Sequence, residues 1–117
     1  MLTPIVHSLP RWAPMGGITV GRHVWVKSFA LVPHELVHVR QQAEHPIWFW
    51  VSYLLLLPLG WNPWRTRWEA EAYAVDVDYG RLSVSQAAAS LSGALYLWPC
   101  TYARAYEAIW DYRSTRA

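Results

Sequence analysis

The sequence predicts a single α+β domain, spanning residues 1–117, that is mainly α-helical. One stretch near the N-terminus, 18–27, has the β-branched and aromatic composition of strands. The later segments carry apolar residues at helical spacing and end at proline or glycine. A chain of 117 residues is long enough for one hydrophobic core. The expected order is a short β-hairpin, three helices and a helical C-terminal part.

Composition and charge limit the classes of function. Hydrophobic residues make up 54% of the chain and charged residues 15%, against about 25% charged in average soluble domains. This composition is too apolar for intrinsic disorder. It is typical of a protein that buries much apolar surface in a core or associates with a membrane. The net charge is only +2 and the cations are scattered, so we expect no nucleic-acid partner.

Cysteine usage and the N-terminal segment bear on location. The lone Cys100 excludes an intramolecular disulfide and a Cys-rich zinc finger, which fits a reducing compartment. Residues 1–14 contain three prolines and no charged region before an apolar run, so they do not resemble a signal peptide. The expected location is cytoplasmic, with membrane association as the alternative.

The first predicted elements are an extended segment over 1–14, where prolines oppose helix, and a hairpin within 18–27. Gly21-Arg22 suits a two-residue turn between its strands. An exposed strand edge could bind an extended peptide through main-chain hydrogen bonds. A hairpin that only covers the core is equally consistent with the sequence. We expect His23 on the surface of this hairpin.

The next predicted element is a helix from Pro33 to Glu44, ending before Pro46. It contains H-E-x-x-H, in which His34 and His38 lie one turn apart on one face. Two imidazoles at this spacing can converge on one zinc ion. Glu35 lies about 100° round the helix, where it is poorly placed as a ligand but can reach a zinc-activated water as general base. The alternative is two ordinary surface histidines.

The segment 47–59 is the most hydrophobic of the chain. Thirteen residues of helix span about 20 Å, short of the roughly 30 Å needed to cross the hydrocarbon core of a bilayer. The favoured prediction is a buried core helix. The alternative, encouraged by several Trp and Tyr residues, is peripheral membrane contact through 47–64.

A third helix is predicted over 64–79, ended by Gly80. Glu69 borders its apolar stripe, which consists of Trp68, Ala72, Val75 and Tyr79. A carboxylate at this position would complete a His₂Glu ligand set with a fourth position open. Glu71 lies about 200° from Glu69 around the helix and is the fallback ligand. The alternative is a solvated Glu on an amphipathic helix.

Together, H-E-L-V-H-V-R-Q, the following N-P break and E-A-E-A-Y resemble the compact gluzincin-type zinc metallopeptidases, including small ones of bacteria and phages. The resemblance covers about 15–80 and implies a minimal zincin-like fold. It implies that zinc is bound by His34, His38 and Glu69, with Glu35 as the general base. Larger gluzincins add a C-terminal subdomain with a transition-state donor, for which this chain has little room.

A metallopeptidase also needs a donor for the oxyanion. Tyr73, one turn after Glu69, is the predicted donor, with Tyr53 and His23 as alternatives. Asp76 is predicted to orient one of the two histidines through its second ring nitrogen.

The C-terminal third is predicted to be helical and structural. Ser83-Val84-Ser85-Gln86 has the form of a capping box and starts a short helix over 84–91. A last helix is expected over 101–113, with an inward face formed by Tyr102, Tyr106, Ile109 and Tyr112.

The predicted function is therefore a zinc-dependent hydrolase that cleaves a peptide or protein substrate. The alternative is a zinc-stabilised, non-catalytic binding protein or a membrane-associated accessory protein of a phage or prophage.

Overall fold

The computed structural model of the chain describes residues 3–13, 15–54, 62–93 and 99–116. Five helices and three short strands account for most of these residues, which confirms a mainly α-helical α+β fold. No helix in the described ranges is long and apolar enough to cross a membrane.

The strands form one small sheet, in the order β1 (Ile5–Ser8), β3 (His23–Val26) and β2 (Gly17–Val20). Strands β2 and β3 form the predicted antiparallel hairpin, and its two-residue turn has Gly21 at φ +61°, a conformation that glycine adopts without strain. Strand β1 pairs with β3 in parallel, a long-range contact that the sequence did not predict beyond an extended segment.

Helix α1 runs from Val32 to Glu44 after a single 3₁₀ turn at Phe29–Leu31. Its limits agree with the predicted helix. Val39 packs on Val24 and Val26 of β3, so α1 covers one face of the sheet. This contact directs the opposite side of α1 toward the next helices.

Helix α2 spans Trp48–Leu54, and the predicted continuation to residue 59 lies outside the described residues. Phe49 and Ser52 are buried. The prediction of a buried core helix is therefore only partly correct, because four apolar side chains of the segment are exposed: Ile47, Trp48, Val51 and Leu54.

Helix α3 runs from Pro63 to Asp78. The Asn62 side chain caps it by accepting a hydrogen bond from the Arg65 amide. Gly80, at φ +78°, follows the last turn as predicted. Tyr79 is largely exposed, so the apolar stripe predicted for this helix ends before it.

Helices α4 (Val84–Leu91) and α5 (Tyr102–Arg116) pack on α3. Both hydrogen bonds of the predicted capping box are present at the start of α4. The predicted inward face of α5 is partly wrong, since Tyr102 and Tyr106 are exposed. The small side chains Ala105 and Ala108 take the inner positions beside Ile109, because they let α5 approach its neighbours closely.

Candidate metal centre

Three side chains from two helices converge where α1 faces α3. The carboxylate oxygen Oε1 of Glu69 lies 3.1 Å from Nε2 of His34 and 3.0 Å from Nε2 of His38. All three residues are buried. Ligands bound to a tetrahedral zinc ion at about 2.0–2.1 Å lie about 3.3 Å from one another. The observed separations are close to this value, so the donor set fits a zinc ion with little movement.

The second nitrogen of each imidazole is held by an acceptor. His34 Nδ1 lies 2.6 Å from Oδ2 of Asp76, and His38 Nδ1 lies 2.9 Å from Oε1 of Gln41. Asp76 is fixed in turn by a two-pronged contact with the Arg81 guanidinium. An imidazole whose Nδ1 donates to such an acceptor presents Nε2 to a metal ion once Nε2 has lost its own proton. The structure places Asp76 on His34, one of the two histidines considered from the sequence.

Glu35 lies beside the converging donors. Its Oε1 accepts a hydrogen bond of 3.0 Å from the Thr19 hydroxyl of β2, and its Oε2 is 3.8 Å from His34 Nε2. Ligand atoms of Glu35, His34 and His38 all lie within 4.8 Å of one another. Glu35 is therefore nearer to the imidazoles than its angle around the helix predicted. We still favour Glu69 as the third ligand, because one of its oxygens is close to both Nε2 atoms.

Burial and mutual charge set the proton affinities of the cluster. Burial lowers the pKa of His34, but its hydrogen bonds with Asp76 and Glu69 outweigh this and raise the pKa to about 10. Burial raises the pKa of Glu69, yet the two imidazoles bring it well below its usual range. Burial also raises the pKa of Glu35, and there the imidazoles offset only part of the effect. The Glu69 carboxylate is thus anionic, and Glu35 is a stronger base than an exposed glutamate.

Two tyrosines line the site in different ways. The Tyr53 hydroxyl of α2 donates a hydrogen bond of 2.6 Å to Oε2 of Glu69. Burial, followed by the charge of Glu69, raises the pKa of Tyr53, so the phenol stays protonated. The ring of Tyr73, the donor predicted from the sequence, packs edge-on against the His34 ring, with centroids 4.6 Å apart. Of these two tyrosines, Tyr53 is the one with a described hydrogen bond to Glu69.

The remaining sequence candidates lie elsewhere. The Glu71 carboxylate accepts hydrogen bonds from Arg40 and Gln41 of α1 rather than contacting an imidazole, and it is linked to His38 only through the Gln41 carboxamide. His23 is half-buried rather than fully on the surface, and its ring stacks with those of His7 and Trp25. It does not line the cavity described below, so it cannot act as a donor there.

A cavity of about 370 Å³ opens beside the converging donors. Strand β2 forms one wall, and Phe49, Trp50 and Tyr53 of α2 form another. Sequence reasoning missed Gln41 and Thr19 as partners of the site. The Q of H-E-x-x-H-x-x-Q, three positions after His38, was the one signal for Gln41. Local sequence gave no signal for Thr19, because its contact depends on how β2 packs against α1.

Comparison of the chain with protein-family models, with curated proteins and with solved structures gives no match.

Proposed function

We propose that this protein is a zinc-dependent hydrolase, a metallopeptidase that cleaves peptide bonds. The observation that carries the proposal is the placement of Glu69 Oε1 within 3.1 Å of both imidazole Nε2 atoms. The acceptors on both Nδ1 atoms support it, because such contacts are typical of histidines that bind metal.

The donor set suits zinc by its chemistry. His34, His38 and Glu69 would hold the ion, a set of two histidines and one glutamate that occurs in catalytic zinc sites with one position left open. A bound zinc ion supplies Lewis acidity for activating water and polarising a carbonyl group. A purely structural zinc site usually has four protein ligands, with cysteines among them.

The chain's own residues supply the remaining chemistry in this proposal. Glu35 accepts the proton of the attacking water, and the Thr19 hydroxyl holds the carboxylate in place. Tyr53 is the proposed donor to the developing oxyanion, since its phenol lines the cavity. Its single proton, which Glu69 Oε2 accepts in this structure, would turn to the oxyanion when substrate is bound. This assignment replaces Tyr73 with Tyr53 as the favoured donor.

A peptide is the substrate that best fits the surroundings. The cavity lies along β2, which is an edge strand of the sheet. The free backbone groups of an edge strand can pair with an extended peptide, and the apolar lining can accept side chains.

Metal analysis of purified variants tests the ligand set. We expect the wild-type protein to bind one equivalent of zinc, Glu69→Ala to lose most of this affinity and Glu71→Ala to retain it. Glu71 is the control on the same helix, because its carboxylate contacts Arg40 and Gln41 and reaches His38 only through the Gln41 carboxamide. Equal zinc binding by wild type and Glu69→Ala would refute the assignment.

Replacement of the base tests turnover. We expect Glu35→Gln to retain zinc and to lower kcat by at least about 100-fold, because general-base catalysis contributes about 10²–10⁴-fold. Peptide hydrolysis by the zinc-loaded protein is the measurement. A wild-type protein that binds zinc and cleaves no peptide in a diverse library would favour a non-catalytic role.

A second function, peripheral contact with a membrane, is favoured by the exposed side chains Ile47, Trp48, Val51 and Leu54. We expect co-sedimentation with zwitterionic liposomes to fall in a variant with Ile47→Ser and Trp48→Ser. Tyr79→Ser, at another exposed aromatic position, serves as the control. Equal sedimentation of all three proteins would exclude this role for α2.

A further inference from the structure

The free edge of β2 is closed at one end by a side chain of α1. Gln42 donates from Nε2 to the Thr19 carbonyl at 2.9 Å and accepts from the Gly21 amide through Oε1 at 2.6 Å. One residue of a parallel neighbouring strand would make the same pair of contacts, to the carbonyl of one residue and the amide two positions later. The Gln42 carboxamide therefore occupies the place that one residue of a peptide would take if the peptide paired with β2.

Gln42 also separates two cavities. It lines the cavity of about 370 Å³ beside the metal centre and a second cavity of about 220 Å³. The second cavity lies toward the hairpin turn, where Gly21 and Arg22 line it. Trp50 of α2 borders both spaces, so it forms the partition together with Gln42.

What remains of the strand edge lies against the catalytic groups. The Gly16 carbonyl accepts a hydrogen bond from the amide of Lys27, the residue after β3. Because backbone groups alternate along a strand, the N–H and C=O of Gly17 point away from β3, toward the cleft. A Cβ atom placed on Gly17 would lie 3.0–3.1 Å from the Glu35 carboxylate group. The open part of the edge therefore spans Gly17 to Thr19, about 7 Å at 3.3–3.4 Å per residue.

We propose that Gln42 forms a closed end of the substrate cleft, so that the protein acts on short peptides or on the ends of longer chains. On the side of Gln42 the cleft accepts about two residues beyond the scissile bond, because the strand edge between Gly17 and Thr19 is no longer than that. This inference rests on the proposed peptidase function and names its substrate class.

The test uses zinc-loaded full-length protein and two series of fluorogenic peptides that share one cleavable core. One series is lengthened at the N-terminus and the other at the C-terminus, by one to six residues. We expect kcat/KM of the wild-type protein to fall at least tenfold in one series beyond about two added residues. Gln42→Ala should reduce this fall to less than threefold, because it frees the Thr19 carbonyl and the Gly21 amide to pair with a longer peptide.

Two further variants make the outcome decisive. Gln42→Asn withdraws the carboxamide by one methylene and should give an intermediate length dependence. Gln86→Ala, which removes a glutamine carboxamide from the capping box of α4, should behave as wild type. Zinc content and thermal melting identify variants that fail to fold.

The results separate this inference from the proposed function. If the wild-type protein cleaves long and short peptides equally well in both series, the closed end is refuted and the peptidase function stands. The closed end is also refuted if Gln42→Ala and Gln42→Asn fold, bind zinc and keep the wild-type length dependence. If the zinc-loaded protein cleaves no member of either series, the proposed function itself fails.

Discussion

The two oxygens of the Glu69 carboxylate have different partners. Oε1 faces the imidazoles of His34 and His38, whereas Oε2 accepts the hydrogen bond of Tyr53. Because the phenol holds Oε2, Glu69 presents a single oxygen, Oε1, to the proposed zinc site. A carboxylate that bound through both oxygens would fill the position that a hydrolytic zinc site needs for water.

Tyr53→Phe tests both contributions of this hydroxyl. We expect zinc affinity to fall by about 10-fold or more, as is usual when a partner of a ligand is removed. Loss of the proposed oxyanion donor should lower kcat by about 10²-fold. Competition with a chromogenic zinc chelator measures the affinity, and peptide hydrolysis at saturating zinc measures kcat.

Tyr73→Phe is the matched control, because Tyr73 lines the same cavity. We expect it to keep kcat within about threefold of wild type, since its ring packing on His34 survives the loss of the hydroxyl. A larger loss of kcat in Tyr73→Phe than in Tyr53→Phe would restore the original prediction from the sequence.

For individual residues, the sequence predicted proximity where helical spacing relates the residues to one another. The fixed geometry of one helix placed His34, Glu35 and His38, and the edge of an apolar stripe indicated Glu69. Tyr53 was ranked below Tyr73 because position along α3 was the only guide to proximity. The hydroxyl that reaches Glu69 comes instead from α2, whose packing on α3 no local pattern describes.

Among the elements, the approach of β2 to α1 sets the geometry around Glu35. Thr19 binds both the side chain and the backbone carbonyl of Glu35, and Gly17 leaves room for the carboxylate. Strand β2 therefore acts as a wall that fixes the proposed base. Glycine at 17 is required by this close approach.

Gly17→Ala should displace the Glu35 carboxylate, because the added methyl carbon would lie 3.0–3.1 Å from its atoms. We expect kcat to fall at least about tenfold with zinc content unchanged, since misplacement of a catalytic group by about 1 Å can cost 10²-fold. Gly16→Ala is the control, because its methyl group would meet only the end of the flexible Leu31 side chain, at 3.1 Å. Equal activity of the two variants would show that Gly17 does not constrain Glu35.

The helices and the hairpin were predictable because their signals are local. Pro33, the capping box of α4 and Gly80 mark helix ends within a few residues of chain. The parallel strand β1 was missed because its pairing with β3 joins residues far apart in the sequence. The inward face predicted for α5 is confirmed at Ile109 and Tyr112 and wrong at Tyr102 and Tyr106, because close packing of helices favours alanine at the contact.

Across the whole molecule, the apolar core and the metal centre occupy different places. The larger core cluster joins α3, α4 and α5, and a smaller one joins α1 to the sheet. Helix α3 contributes to both regions, with Ala70 and Ala74 in the core and Glu69 at the site. Stability and site geometry should therefore respond to different substitutions.

Ile109→Ala tests this separation, because Ile109 of α5 is fully buried in the larger cluster. We expect the free energy of unfolding to fall by about 2–5 kcal/mol, the usual range for such a truncation. Chemical denaturation measures this change. Zinc stoichiometry and kcat at low temperature should remain at wild-type values, and their loss would show that the core and the site are coupled.

Helix α1 has seven buried residues, and five of them are polar: His34, Glu35, His38, Gln41 and Gln42. Hydrocarbon side chains of similar size at such positions often raise the free energy of unfolding, because buried polar groups lose hydration that their partners only partly replace. Selection for folding stability alone would favour leucine or methionine at these five positions. Substitutions that stabilise α1 by replacing these residues would therefore remove the groups on which the proposed chemistry depends.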